Sequence, residues 1–190
     1  MTFLELSKQR ESVRKYSDRP VEREKIERCL EAARLAPSAC NSQPWKFVVV
    51  DDSQLKDQVA RQTFSKLLPF NQFTIEAPVI VAIVMEKPTA LAQIGGRIKD
   101  KDFYLMDIGI VAEHFCLQAA EEGLGTCMLG WFNEKEVIRL LGVPKGKRIG
   151  LLISLGYPTT GQVRAKVRKS MERLRTYNRY LPDPDAPEKR

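Results

Sequence analysis

Between Glu22 and Ala36 the apolar residues Ile26, Cys29, Leu30 and Ala33 recur at intervals of three and four, the spacing that lines one face of an α-helix. Pro20 stands ahead of this stretch and Pro37 ends it, because a proline ring blocks helical continuation. Ahead of it, Thr2 with Glu5 three residues on forms a capping-box pattern, which predicts a short opening helix. PSACNSQPW is rich in turn formers and reads as a loop, and it runs into WKFVVVDD, a buried strand. Asp52 or Ser53 then caps a helix that carries Leu55, Val59, Leu67 and Leu68 on one side. APVIVAIVM, bounded by Pro78 and Pro88, is a second strand, and the polar EKPTALAQIGGRIKDKD predicts a loop. FYLMDIGIVAEHFCLQAAEEG is apolar on nearly every face, so it predicts a helix buried all round, placed between two subunits. LGTCMLGWF is a short third strand, NEKEVIRLLG a helix capped by Asn133 with Glu136 and ended by Gly142, and KRIGLLISLGYP a fourth strand. This alternation gives α+β or α/β; periodicity does not decide strand direction.

Composition narrows the class. A chain of 190 residues is expected to form one domain with a sizeable core. No run of about 18 apolar residues is present, which excludes a membrane helix. The start MTFLELSKQRESVRKY is polar within four residues, which argues against a secretory signal and makes the cytoplasm the expected compartment. The formal net charge is +7, favouring anionic partners from nucleic acid to a phosphorylated cofactor. Residues 159–190 alone carry nine Lys/Arg against four Asp/Glu.

Chemistry based on side-chain nucleophiles or metals finds little support. Cys29, Cys40, Cys116 and Cys127 make no C-x-x-C pair or metal spacing and are expected to be reduced. His114 is the only histidine and lies in an apolar helical stretch, a packing position. GLGTCM precedes a strand where a dinucleotide turn would follow one, and no G-x-x-x-x-G-K-[ST] exists. What remains is two basic clusters: Arg10, Ser12 and Arg14 at alternate positions in RESVR, and RAKVRKS with Lys166 and Arg168. Arginine forks and a lysine hold a phosphate by charge-assisted hydrogen bonds. An amide such as Asn71 gives and accepts hydrogen bonds, which suits the edge of a heterocycle. Phosphate binders plus ring-edge binders without an acid/base pair form the inventory of a protein whose cofactor does the chemistry.

Six segments in register, RESVRKYSDRPV, AARLAPSACNSQPWKFVVV, FNQFTIEAPVIVAIV, MDIGIVAEHFCLQAAEEGLGTCMLGWF, LLISLGYP and the K-x-R of AKVRK, resemble the nitroreductase family of FMN-dependent oxidoreductases. The resemblance implies an α+β fold with a central, mostly antiparallel sheet flanked by helices. It implies a single FMN-binding domain over residues 1–190 in an intertwined homodimer, in which residues 159–190 wrap the partner and add a strand to its sheet. It further implies hydride transfer from NAD(P)H through flavin N5 to nitroaromatics, quinones or similar acceptors in a ping-pong order, with no catalytic side chain required.

By motif, Arg10, Lys166 and Arg168 are expected to hold the FMN phosphate. Ser12 and Arg14 reach the ribityl and ring region, Arg14 toward the pyrimidine edge. Pro37, Ser38 and Ala39 match the loop contributed by the partner, with Asn41 and Gln43 close by. Asn71 matches the amide on the pyrimidine side, and Met128, Leu129 and Gly130 match the turn beside the central ring. Two departures stand out: Thr74, where some members carry a lysine, and Trp131, where many carry a second glycine. Trp131 either narrows the substrate pocket or packs under the dimer. Rival readings are another FMN reaction on the same fold, namely dehydrogenation, reductive dehalogenation or flavin fragmentation, and a basic nucleic-acid-binding module supported by charge alone. No nucleic-acid or membrane partner is expected.

Overall fold

Among the described residues four strands form one sheet in the order β1-β2-β4-β3: β1 (Trp45–Val50), β2 (Val79–Met85), β3 (Gly125–Leu129) and β4 (Arg148–Gly156). All neighbours run antiparallel, which settles the direction that periodicity leaves open. This is a computed structural model describing residues 1–183, apart from the Arg97 side chain; the last seven residues of the basic extension lie outside it.

The two faces of the sheet bury opposite halves of the same strands. Val79, Val81 and Ile83 of β2, with Ile153 and Leu155 of β4, pack beneath α2 (Arg23–Arg34) and α5 (Phe103–Glu121). The intervening Ile80, Ala82 and Val84, with Leu152, pack against α3 (Ser53–Ala60) and α6 (Glu134–Leu140). Side chains alternate across a strand, so a strand covered on both faces reads as the unbroken apolar run of APVIVAIVM. Phe115 of α5 is the largest fully buried side chain.

The expected caps form. Thr2 and Glu5 make the reciprocal capping box at the start of α1 (Phe3–Gln9), Asp52 accepts from Leu55 N on α3, and Asn133 accepts from Glu136 N on α6. Gly142 follows α6 in the left-handed region, φ 62°.

Two expectations are corrected. The helix opened by Asp52 ends at Ala60, so Leu67 and Leu68 are not on its apolar side; Leu67 is 91% exposed. The polar segment after β2 is not a loop throughout: Thr89 caps α4 (Ala90–Lys99), and Asp100 closes it in a left-handed conformation. Within a single chain α5 is buried along one side. Its inner side carries Ile108, Val111, Phe115 and Ala119, but Leu105, Met106 and Ile110 are exposed because nothing in the described chain covers them.

One close approach fixes the amino-terminal segment. Val13 N donates to Thr126 O at 2.8 Å, and Ser12 pairs with Thr126 in parallel along the outer edge of β3. A Cβ on Gly125 would stand 2.5 Å from Val13 Cγ2, so only glycine admits the segment. Gly125→Ala is expected to destabilise by about 1–3 kcal/mol, the cost of overpacking, seen as a lower urea midpoint with an unchanged slope.

Candidate functional site

Segment 10–17 is held like a short extra strand between the edge of β3 and the chain after β4. Ser17 N donates to Tyr157 O (2.9 Å) and Thr159 N to Lys15 O (3.3 Å). Tyr16 is buried; its hydroxyl lies 3.0 Å from Val13 O and 2.8 Å from Ser154 Oγ. Burial pushes its phenol pKa up, so it stays a neutral donor. Val13 and Tyr16 of the segment are turned inward, while Arg14 is exposed and Arg10 and Ser12 are half-buried.

The basic tail returns to this turn. Lys166 Nζ donates to Arg10 O, and Arg164 Nη2 donates to Ser12 O. Arg164 Nε also donates to Glu11 Oε2 at 2.7 Å. The amino-terminal turn and the basic tail therefore meet. The cluster is short of negative charge. Arg10 Nε stands 3.1 Å from Glu113 Oε1, yet out of line, and this buried nitrogen has no hydrogen-bond partner among the described residues. Burial lowers the pKa of Lys166, and the nearby positive charges of Arg10 and Arg168 lower it further. Arg168 is exposed; among the described residues its Nη1 donates only to Val167 O, at 2.8 Å. Crowded cations with one orphaned donor suit an oxyanion such as a phosphate monoester.

Along the same edge stand the ring-edge candidates. Asn71 is buried and donates from Nδ2 to Thr63 O (3.2 Å) and to Trp131 O (3.3 Å). Two carbonyls demand the amino side of the amide, which leaves Oδ1 as the group free to act, an acceptor only. This narrows the dual role expected for Asn71. Thr74 lies beneath it, fully buried, 2.8 Å from Thr63 Oγ1 and donating to Asn71 O at 2.9 Å. Thr74 thus braces the Asn71 turn. Arg14 is exposed and lies 6.0 Å from the centroid of the Phe73 ring, which links the basic turn to this element.

On β3 the Leu129 side chain enters the core and Met128 is half-buried, so the main chain is what they offer. Thr126 O faces the free edge toward Val13; by strand alternation the main-chain groups of Met128 face the same edge. Gly130 lies past the strand and is exposed. Trp131 is 58% exposed and meets Phe70 with ring centroids 6.1 Å apart. Its indole lies on the surface and forms an aromatic rim beside Asn71.

The loop Pro37–Gln43 is held elsewhere. Ala39 N donates to Asp107 Oδ1 on α5 at 3.1 Å, and Ser42 Oγ accepts from Thr89 N at 2.7 Å. Cys40, Asn41 and Gln43 all have positive φ, and the Gln43 amide donates to Asn41 Oδ1 at 3.0 Å. Pro37, Asn41 and Gln43 are exposed. No hydrogen bond or ion pair among the described residues joins this loop to the basic turn. Arg164, Glu11 and Asp107 were not anticipated. Arg164 had a usable signal, since it stands two residues before Lys166 in the same alternation; Asp107 had none.

Residues 7–157 match the Nitroreductase family. The chain belongs to that family. It is accordingly a nitroreductase-type oxidoreductase. It is 34% identical to a protein of Archaeoglobus fulgidus named as an NADH dehydrogenase/NAD(P)H nitroreductase, over 78% of this chain and 81% of the relative. A solved FMN-dependent nitroreductase from Clostridium difficile R20291 superposes with TM-score 0.77 at 28% identity, over 94% of this chain and 100% of that one. An iodotyrosine deiodinase of Thermotoga neapolitana is 26% identical, over 81% of this chain and 87% of the relative. Among the described residues no helix is long and apolar enough to cross a membrane.

The nitroreductase cluster makes a prediction that needs no flavin. Because Lys166 loses charge more readily than a free lysine, an anion seated against it raises its pKa again. Added inorganic phosphate is expected to raise the melting temperature, and Lys166→Met to abolish most of that increment. The sign follows: phosphate binding weakens as pH rises through the lowered pKa of Lys166, below the usual 10.5. Thermal scans in phosphate and in a non-coordinating buffer, at neutral and alkaline pH, check it.

Proposed function

We propose that this protein is an FMN-dependent oxidoreductase that moves hydride from NAD(P)H to nitroaromatics, quinones or similar electron-poor acceptors. The observation that carries the reading is the meeting of Arg10 with Lys166 across 156 positions of sequence, with a buried Arg10 Nε lacking a hydrogen-bond partner among the described residues. FMN, when bound, supplies the two-electron chemistry, taking hydride from the nicotinamide and passing it to the acceptor.

The chain's own residues bind and orient. Arg10, Lys166 and Arg168 would hold the phosphate, and Ser12 the ribityl region. Arg14 would set a positive charge at the pyrimidine edge, where negative charge develops during hydride transfer. Asn71 Oδ1 would accept from a ring N–H, and the main chain of Met128, Leu129 and Gly130 would flank the central ring. NAD(P)H and the acceptor would use the remaining open face in turn, a ping-pong order in which no side chain is needed as a general acid.

A homodimer completes this arrangement. The bare Leu105, Met106 and Ile110 stripe of α5 and the exposed Val167, Met171, Leu174 and Tyr177 of the tail are apolar surfaces in want of cover. In the dimer, Pro37, Ser38 and Ala39 of each subunit, with Asn41 and Gln43 beside them, would close the flavin site of the other. Residues 159–190 would wrap across the interface and extend the partner's sheet.

Arg10→Ala combined with Lys166→Ala is expected to lose its yellow colour on desalting while remaining a folded dimer. Full retention of flavin by the double variant defeats the phosphate assignment. A second reading, reductive dehalogenation, draws on α4, an amphipathic helix with exposed Leu91, Ile94 and Ile98 that is able to cover a pocket. Stopped-flow reduction by NADH and by NADPH, then reoxidation with a nitroaromatic, menadione and an iodinated phenol, separates the two. Nitroaromatic or quinone turnover well above iodophenol turnover is expected.

A further inference from the structure

Between α4 and the first turns of α5 lies a cavity of about 340 Å³ that none of the phosphate- or ring-edge candidates lines. Its apolar wall includes Ala92, Phe103 and Tyr104; its charged lining is Asp100, Asp102 and Asp107 against Lys101. The floor is a built turn. Asp100 adopts φ 49°, and Lys101 N returns a hydrogen bond to Gly96 O at 2.9 Å. A Cβ on Gly96 would stand 2.8 Å from Lys101 O, so glycine is what lets the turn close.

Asp107 is the feature that points to an occupant. It is only 4% exposed, and Oδ1 accepts from Ala39 N. Oδ2 has no hydrogen-bond partner among the described residues, yet it is not sealed from open space, and the cavity is the space Asp107 lines. A carboxylate held this deep is stable when its second oxygen also finds a donor, best a positive one. Asp100 and Asp102 add negative potential, and the rings of Phe103 and Tyr104 offer faces that attract cations. A volume of this size is typical of small-molecule sites.

We propose that the α4–α5 cavity binds a small aromatic cation, of the amidinium or arylalkylammonium class, with its charged group on Asp107. None of the proposed phosphate and ring-edge residues lines this cavity, although Asp107 also holds Ala39 of the loop that the proposed dimer sets against the other subunit's flavin.

Benzamidine is the probe, titrated calorimetrically into the protein as purified, with neutral benzamide as the matched control. Saturable binding, one per chain and at least tenfold tighter than benzamide, is expected. Asp107→Asn keeps an acceptor for Ala39 N and the same shape, and should weaken benzamidine binding at least tenfold. Asp102→Asn, an exposed change with no hydrogen bond to lose, should weaken it about threefold and guards against a folding defect in the first variant. The Arg10→Ala/Lys166→Ala protein should bind benzamidine unchanged, whether or not it keeps flavin. Absence of saturable binding, equal affinity for benzamide, or undiminished binding in either aspartate variant overturns the proposal.

Discussion

The main-chain bond from Val13 N to Thr126 O is the contact on which the rest of the site depends. It lays segment 10–17 along the one strand edge that β4 leaves open, and Gly125 is the residue that admits it. Once Val13 is fixed facing inward, Arg10, Ser12 and Arg14 are held on the turn around it. The tail then has a defined target. Its cations cap the carbonyls of Arg10 and Ser12, groups that a sheet edge would otherwise leave to water.

That construction has an electrostatic consequence. Carbonyl caps and the Glu11 carboxylate satisfy some of the donors, but positive charge still exceeds negative where Arg10, Lys166 and Arg168 crowd together. Net repulsion inside a fold is costly unless something offsets it, and the proposed flavin phosphate would supply that offset. The same logic, with opposite sign, holds at the far end of α5. There Asp100, Asp102 and Asp107 outnumber Lys101 around a cavity. A strongly basic chain thus keeps two oppositely charged clusters apart along one long helix.

Local signals were legible in the sequence, and tertiary ones were not. Caps at Thr2, Asp52 and Asn133 depend on neighbours three residues away, so the sequence alone reveals them. The strands of the sheet were likewise readable from their apolar runs. α4 escaped notice because Gly95 and Gly96 and the charged flanks weaken its helical signal, although Leu91, Ile94 and Ile98 recur at three and four. Leu67 and Leu68 misled because apolar residues on an exposed loop mimic the continuation of a helix face. The family match in residues 7–157 accounts for the fold class. Arg164 and Asp107 act across 153 and 68 positions of sequence, respectively, and no local pattern announces such contacts.

The geometry of α5 bears on the proposed two-chain site. Glu113 lies beside Arg10 of the basic turn, and Asp107 holds Ala39 of the Pro37–Gln43 loop. Six helical residues separate them, a rise of about 9 Å and a rotation of about 120° from the shorter side. Loop and turn therefore leave the helix in different directions and do not face one another within a chain. Between those directions runs the bare stripe of Met106 and Ile110. A two-fold axis through that stripe would bury it against its own copy, because an isologous contact is self-complementary. In the proposed dimer the same operation would carry the loop of one subunit toward the basic turn of the other. Burial of the apolar stripe and completion of the proposed flavin site would then be one event.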